Sequence, residues 1–171
     1  MIFTPEIVDM AIKKGAKNGD EVVSFLNSSR KSIDDIVVPS VKNGEFDSWF
    51  NNLSVAEFDE IWANPKLRNK IKSRLRHPGG LHEWHMVSRT NVFKKWGVTA
   101  EQIKELRTAI SDVKFVNPPG VHGGLGSTKA HNEILEIIDN ASDYDSFKKG
   151  LREWANNRLE GGVNALPEGL R

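Results

Sequence analysis

The sequence contains no cysteine, which excludes disulfides, thiolate metal sites and cysteine nucleophiles at once. Any metal must then be held by His, Asp, Glu, Asn or water. Long apolar runs are missing as well: charges interrupt every stretch well short of the roughly eighteen residues that a membrane helix needs. The N-terminal MIFTPEIVDMAIKKG lacks the basic start, apolar stretch and small-residue site of a signal peptide. Excess charge is absent too, since 24 Lys and Arg stand against 23 Asp and Glu for a net +1. Global charge therefore gives no sign of nucleic-acid binding. What remains is ordinary: 171 residues, 38% hydrophobic, with five Trp and eight Phe. That suits one domain, or one domain with a helical appendage.

The average conceals local charge. Residues 66–76 read KLRNKIKSRLR, six basic residues with no acid, directly after an acidic stretch from Glu57 to Glu60. Up to about Arg76 the chain reads as a string of short helices. Thr4-Pro5-Glu6 has the form of an N-cap followed by a proline at the first helical position, and Asp20 opens a second helix through Val22, Val23, Phe25 and Leu26. Ser54 and Glu57 make a capping box before Phe58, Ile61 and Trp62, and Asn64-Pro65 separates that helix from the basic one.

His77-Pro78-Gly79-Gly80 then punctuates the chain. Beyond it LHEWHMV is short and apolar enough for a strand. Thr99 with Gln102 forms a second capping box, leading a helix through Ile110. VKFVNPP reads as another strand halted by the double proline, and GVHGGLGS as a loop delivering Ser127 as an N-cap. A helix carrying Ala130, Ile134 and Ile138 follows, and a last one from Ser142 carries Phe147, Leu151 and Trp154 until Gly161-Gly162. Two regions result, a helical 1–76 and a mixed 77–171, in a mostly helical α+β fold. Trp49, Trp62 and Trp154 fall on apolar stripes and are expected in the core.

All five histidines lie between His77 and His131. His77 belongs to the turn. The others sit among able neighbours: His82-Glu83-Trp84-His85 in the first strand, Asn117 at the end of the second, then His122 and His131. HEWH is not the zinc-protease pattern, which needs two histidines four apart on a helix with a glutamate between them.

The order of these elements resembles the HNH, or ββα-metal, nucleases, over Gly80 to the C-terminus. In that family a first strand carries a catalytic histidine, a second supplies an asparagine, and a loop and helix supply metal-binding histidines. It is closest to the branch found as C-terminal toxin domains of bacterial polymorphic toxins, contact-dependent and Rhs-type systems included. That branch has a helical insert with a glycine turn, here FKKWGVTAEQIKEL, and a helical tail, here LREWANNRLEGG. The resemblance implies a small ββα-metal-like core, His85 as general base, Asn117 as its positioning partner, and His122 and His131 as ligands of one divalent ion (Mg, Mn, Ni or Zn). The sequence departs from the pattern at Trp84, where the family commonly places a ligand. Either Glu83 or His82 then completes the site, or His82 is the base. On an ideal strand Glu83 and His85 share one face, opposite His82 and Trp84.

The chemistry suits these residue types. Phosphodiester hydrolysis needs an activated water, charge relief on the phosphoryl oxygens and help for the leaving alkoxide, and a histidine near its usual pKa of about 6.5 is a competent base at cellular pH. Lys66, Arg68, Lys70, Lys72, Arg74 and Arg76 of the basic run, with Arg89, Lys94, Lys95 and Lys129, are candidate contacts to a phosphate backbone. The expectation is a metal-dependent endonuclease, with DNA favoured by the resemblance. As a toxin domain it would be part of a larger secreted protein, act in the target-cell cytoplasm and be neutralised by a cognate immunity protein. A metal-independent ribonuclease using a histidine acid/base pair is the first alternative, and a non-catalytic helical binding module the second.

Overall fold

The computed structural model describes residues 33–171. The helices expected at Thr4 and Asp20 lie outside the described residues. The fold is mostly helical α+β, with two small antiparallel two-stranded sheets, and the chain divides between Arg74 and Leu75 into two compact units. Among the described residues no helix is long and apolar enough to cross a membrane.

In the first unit α1 spans Glu45–Asn52, α2 Val55–Ala63, and α3 Pro65–Leu75 runs into the second. The start of α2 is fixed by the expected box: Ser54 Oγ accepts from Glu57 N–H, and the Glu57 carboxylate accepts from Ser54 N–H, both at 3.1 Å. Asn64 gives α3 its start, since Oδ1 accepts from the N–H groups of Lys66 and Leu67 (3.0 and 3.1 Å). Pro65 occupies the first helical position, where a missing N–H costs nothing. Phe46, Phe50, Phe58, Ile61 and Ile71 are buried. Phe50 meets Phe58 edge-on at 5.3 Å, and Phe58 stacks on Trp62 at 5.6 Å, the offset geometries that aromatic quadrupoles favour.

In the second unit β1 (Leu81–His82) pairs with β2 (Thr108–Ala109), and β3 (Lys114–Phe115) with β4 (Gly120–Val121). Between β1 and β2 lie α4 (Thr90–Lys95) and α5 (Ala100–Glu105). They are joined through Gly97 at φ 80°, and α5 is started by the Thr99–Gln102 box. After β4 come α6 (Ser127–Asn140) and α7 (Tyr144–Arg158), which pack together. Trp84, Met86, Val87, Phe93, Ile103, Ile134, Phe147 and Leu151 form the core. Arg158 fastens the β3–β4 hairpin to both long helices: its guanidinium donates to Val116 O and, at 3.1 Å, to Pro118 O, and it pairs with Glu133 at 3.2 Å.

Several local expectations are corrected. LHEWHMV is extended only at Leu81–His82, because Trp84 and His85 both take left-handed backbone (φ 51° and 61°) and the chain turns. The two segments expected as the strands of one core do not pair with each other; each pairs with a different partner, Thr108–Ala109 or Gly120–Val121. The helix expected through Ile110 stops at Glu105. The N-cap of α6 is Gly126, with Ser127 inside the helix, and that of α7 is Asp143, whose carboxylate accepts from Ser146 N–H.

Candidate metal centre

Three elements deliver the histidines. β1 ends on His82, β4 is followed by His122, and α6 carries His131 on its fifth residue. The loop that holds His122 is tight: a Cβ at Gly120 would stand 2.1 Å from Leu125 O, so only glycine fits. Ser127 Oγ closes the same loop by accepting from Gly123 N–H at 3.0 Å, and lies 3.4 Å from His131 Nε2.

His82 Nδ1 lies 3.0 Å from His122 Nδ1, which is 3.3 Å from His131 Nε2. Nitrogen atoms of all three residues fall within 4.8 Å of one another, and this trio is the cluster among the described residues able to hold a metal ion. Two nitrogen ligands of one tetrahedral ion at 2.0–2.1 Å stand about 3.3 Å apart, which matches the two shorter separations. Without an ion, one hydrogen on His122 Nδ1 can face the lone pairs of His82 Nδ1 and His131 Nε2 together. The three rings are close enough together to hold a cation.

Burial suits that role. Desolvation first, then the neighbouring His122, His85 and His131, lower the His82 pKa to about 3. Desolvation, followed by His131, Arg89, His122 and Arg76, lowers that of His85 to about 4. His131 is lowered by the same kind of burial and by His122. These rings stay neutral at cellular pH, the form that offers a lone pair.

His85 stands beside the trio, its ring 4.8 Å from that of His131. Ser88 Oγ donates to His85 O at 3.1 Å and lies 3.2 Å from His85 Nδ1. A hydroxyl has one hydrogen, so both bonds form only if His85 Nδ1 is the donor. That tautomer leaves a bare lone pair on His85 Nε2, which is buried with no hydrogen-bond partner among the described residues, as is His82 Nε2. A cavity of about 340 Å³ is lined by these four histidines with Arg76, Gly79, Gly80, Leu81, Glu83 and Ser88. A larger one, about 480 Å³, runs along α6 and α7 and contains no histidine. Its Glu133 is already engaged by Trp154 and Arg158.

The other expected residues are distributed as follows. Glu83 lines the cavity, but both carboxylate oxygens are taken by Arg76 at 2.8–3.1 Å, and His82 fills the third place among the candidate ligands. Glu83 and His85 do not share a strand face, because the extended backbone ends at His82. Asn117 is exposed, at φ 54°, with Nδ2 donating to Asn157 O at 3.1 Å, and it does not line the cavity. Arg89 pairs with Asp139 at 3.3 Å. Lys94 is buried, which takes it off the surface, whereas Lys95 and Lys129 are exposed. In the first unit Lys66 and Lys70 are exposed, Arg68 and Lys72 lie over the Trp62 ring, and Arg74 donates to Pro39 O. Ser88 and Thr108 escaped sequence reasoning, and Trp84 entered it only as a departure from the family pattern, because nothing in their types distinguishes a residue that orients a histidine from one that fills the core. No protein-family model, curated protein or solved structure matches this chain.

Proposed function

We propose that the second unit is a metal-dependent nuclease in which His82, His122 and His131 hold one divalent ion and His85 serves as the general base. The observation that carries this reading is the clustering of three imidazoles beside a fourth whose Nε2 has no hydrogen-bond partner among the described residues. Three nitrogen ligands that leave a further position open are the pattern of catalytic rather than structural zinc sites. All-imidazole donors favour Zn or Ni over Mg, which prefers oxygen. Bound there, such an ion supplies Lewis-acid polarisation of a phosphoryl oxygen and relief of charge on the leaving group.

The chain's own residues provide the rest. Ser88 holds the His85 tautomer with Nε2 bare, so that this atom can take a proton from a water attacking in the cavity. Arg76, oriented by Glu83 and half exposed at the cavity wall, offers its remaining N–H groups to a phosphate oxygen. An arriving phosphodiester offsets part of the positive charge of the ion beside His85, which favours the protonated ring relative to the substrate-free site. Gly79 and Gly80 leave open space at that wall, since a Cβ on either meets nothing within 4 Å. Exposed Lys95 and Lys129 are candidate backbone contacts.

The reading includes the wider role implied by the resemblance: a toxin domain carried by a larger secreted protein, acting on nucleic acid inside a target cell and restrained by an immunity protein. DNA as the favoured substrate rests on the same resemblance. A metal-independent ribonuclease would pair His82 or His85, which burial keeps neutral at cellular pH, with His122 or His131 as general base and acid. Cleavage of plasmid DNA and total RNA, with Zn, Ni, Mn or Mg and with EDTA, tests the proposal. Metal-dependent cleavage that is lost in His85→Ala is expected. RNA cleavage that survives EDTA transfers the histidines to the ribonuclease scheme, and silence on both substrates leaves a binding module.

A further inference from the structure

Trp84 occupies the position at which a nuclease of the resembling family carries a ligand, and its surroundings give it different work. It is fully buried, its Nε1 donates to Thr108 Oγ1 at 3.0 Å, and its ring meets the His82 ring edge-on at 4.5 Å. Thr108 is the register partner of His82 across β1 and β2. Trp84 and His85 are also consecutive left-handed residues, neither of them glycine, an arrangement that persists only where the surroundings over-determine it. Had the strand continued, His82 and His85 would have pointed to opposite faces. The turn brings both rings to one cavity and sends Glu83 to Arg76.

We infer that Trp84 and Thr108 form a positioning pair: the indole, anchored on the threonine hydroxyl, props His82 from the side and imposes the left-handed turn that brings His85 beside the ligand trio. This rests on the proposed metal reading for its consequence, but the orientation of the rings is independent of any ion. Thr108→Val removes the acceptor with little change of shape, Thr108→Ser restores it, and Trp84→Phe keeps a ring but lacks the donor.

The experiment compares these variants in the full chain by zinc titration, thermal melting and ¹⁵N NMR of the histidine rings. Thr108→Val and Trp84→Phe are expected to bind zinc at least tenfold more weakly, as loss of an outer-shell partner does, and Thr108→Ser to match the wild type. In the metal-free Thr108→Val chain the His85 ring is expected to lose its single Nδ1–H tautomer. Unchanged zinc affinity and an unchanged ring spectrum, with only a lowered melting temperature, would overturn the inference and leave Trp84 as core. If the wild-type chain takes no zinc, the metal reading fails, and the ring spectra alone decide whether the pair positions the histidines.

Discussion

Two segments of the second unit turn through left-handed residues that are not glycine, and they differ in what the turn accomplishes. At Trp84 and His85 the strain, roughly 1–3 kcal/mol for each such residue, is held by a buried indole, and His85 lines a cavity while its buried Nε2 has no partner among the described residues. At Asn117 the same backbone is adopted by a residue type that tolerates it. Its side chain is spent on the carbonyl of Asn157, facing solvent. Left-handed backbone alone is therefore a poor guide to function. At His85 it coincides with a buried imidazole nitrogen that has no partner among the described residues, which marks the proposed site.

This contrast can be broken at several points. The largest effect is expected for His131→Ala, which removes a proposed ligand. Metal affinity should fall by more than the roughly 100-fold that losing an outer-shell partner costs, and cleavage should vanish with it. His85→Ala should lower kcat by about 10²- to 10⁴-fold, the usual worth of a general base, while metal binding persists. If both activities fell together, His85 would be a fourth ligand.

A pH titration of the metal-free chain separates the two segments without mutation. His82 and His85 have folded pKa values of about 3 and about 4, lowered from 6.5. Between those values and 6.5 the unfolded chain binds more protons, so stability rises with pH. Stability is expected to be full above pH 6.5 and to fall steadily as the pH drops through 4 towards 3, in chemical denaturation followed by tryptophan fluorescence. A flat profile over that window would contradict the burial of these rings. The smallest effect is expected at Asn117→Gly, which keeps the left-handed backbone. Stability should move by only about 0.5 kcal/mol and cleavage should persist. Loss of cleavage would return Asn117 to the catalytic machinery.

The regular parts of the fold were legible because their signals are local. Ser54 with Glu57, Thr99 with Gln102, and Asn64-Pro65 each place a helix start by hydrogen bonds within a few residues. The clustering of His82, His85, His122 and His131 was legible from their order along the chain. Their arrangement was not. Whether LHEWHMV stays extended depends on the pocket that receives Trp84 and on Thr108, distant in sequence, and a strand pattern carries no trace of either. For the same reason Glu83 read as a candidate ligand until Arg76 was found to hold both of its oxygens.

The most direct test is zinc titration of the metal-free chain by calorimetry, run in parallel on His85→Ala and His131→Ala. One zinc per wild-type chain is expected, retained by His85→Ala and lost by His131→Ala. A wild-type chain that binds no zinc, or one that binds it undiminished without His131, would contradict the assignment of His82, His122 and His131 as the metal centre.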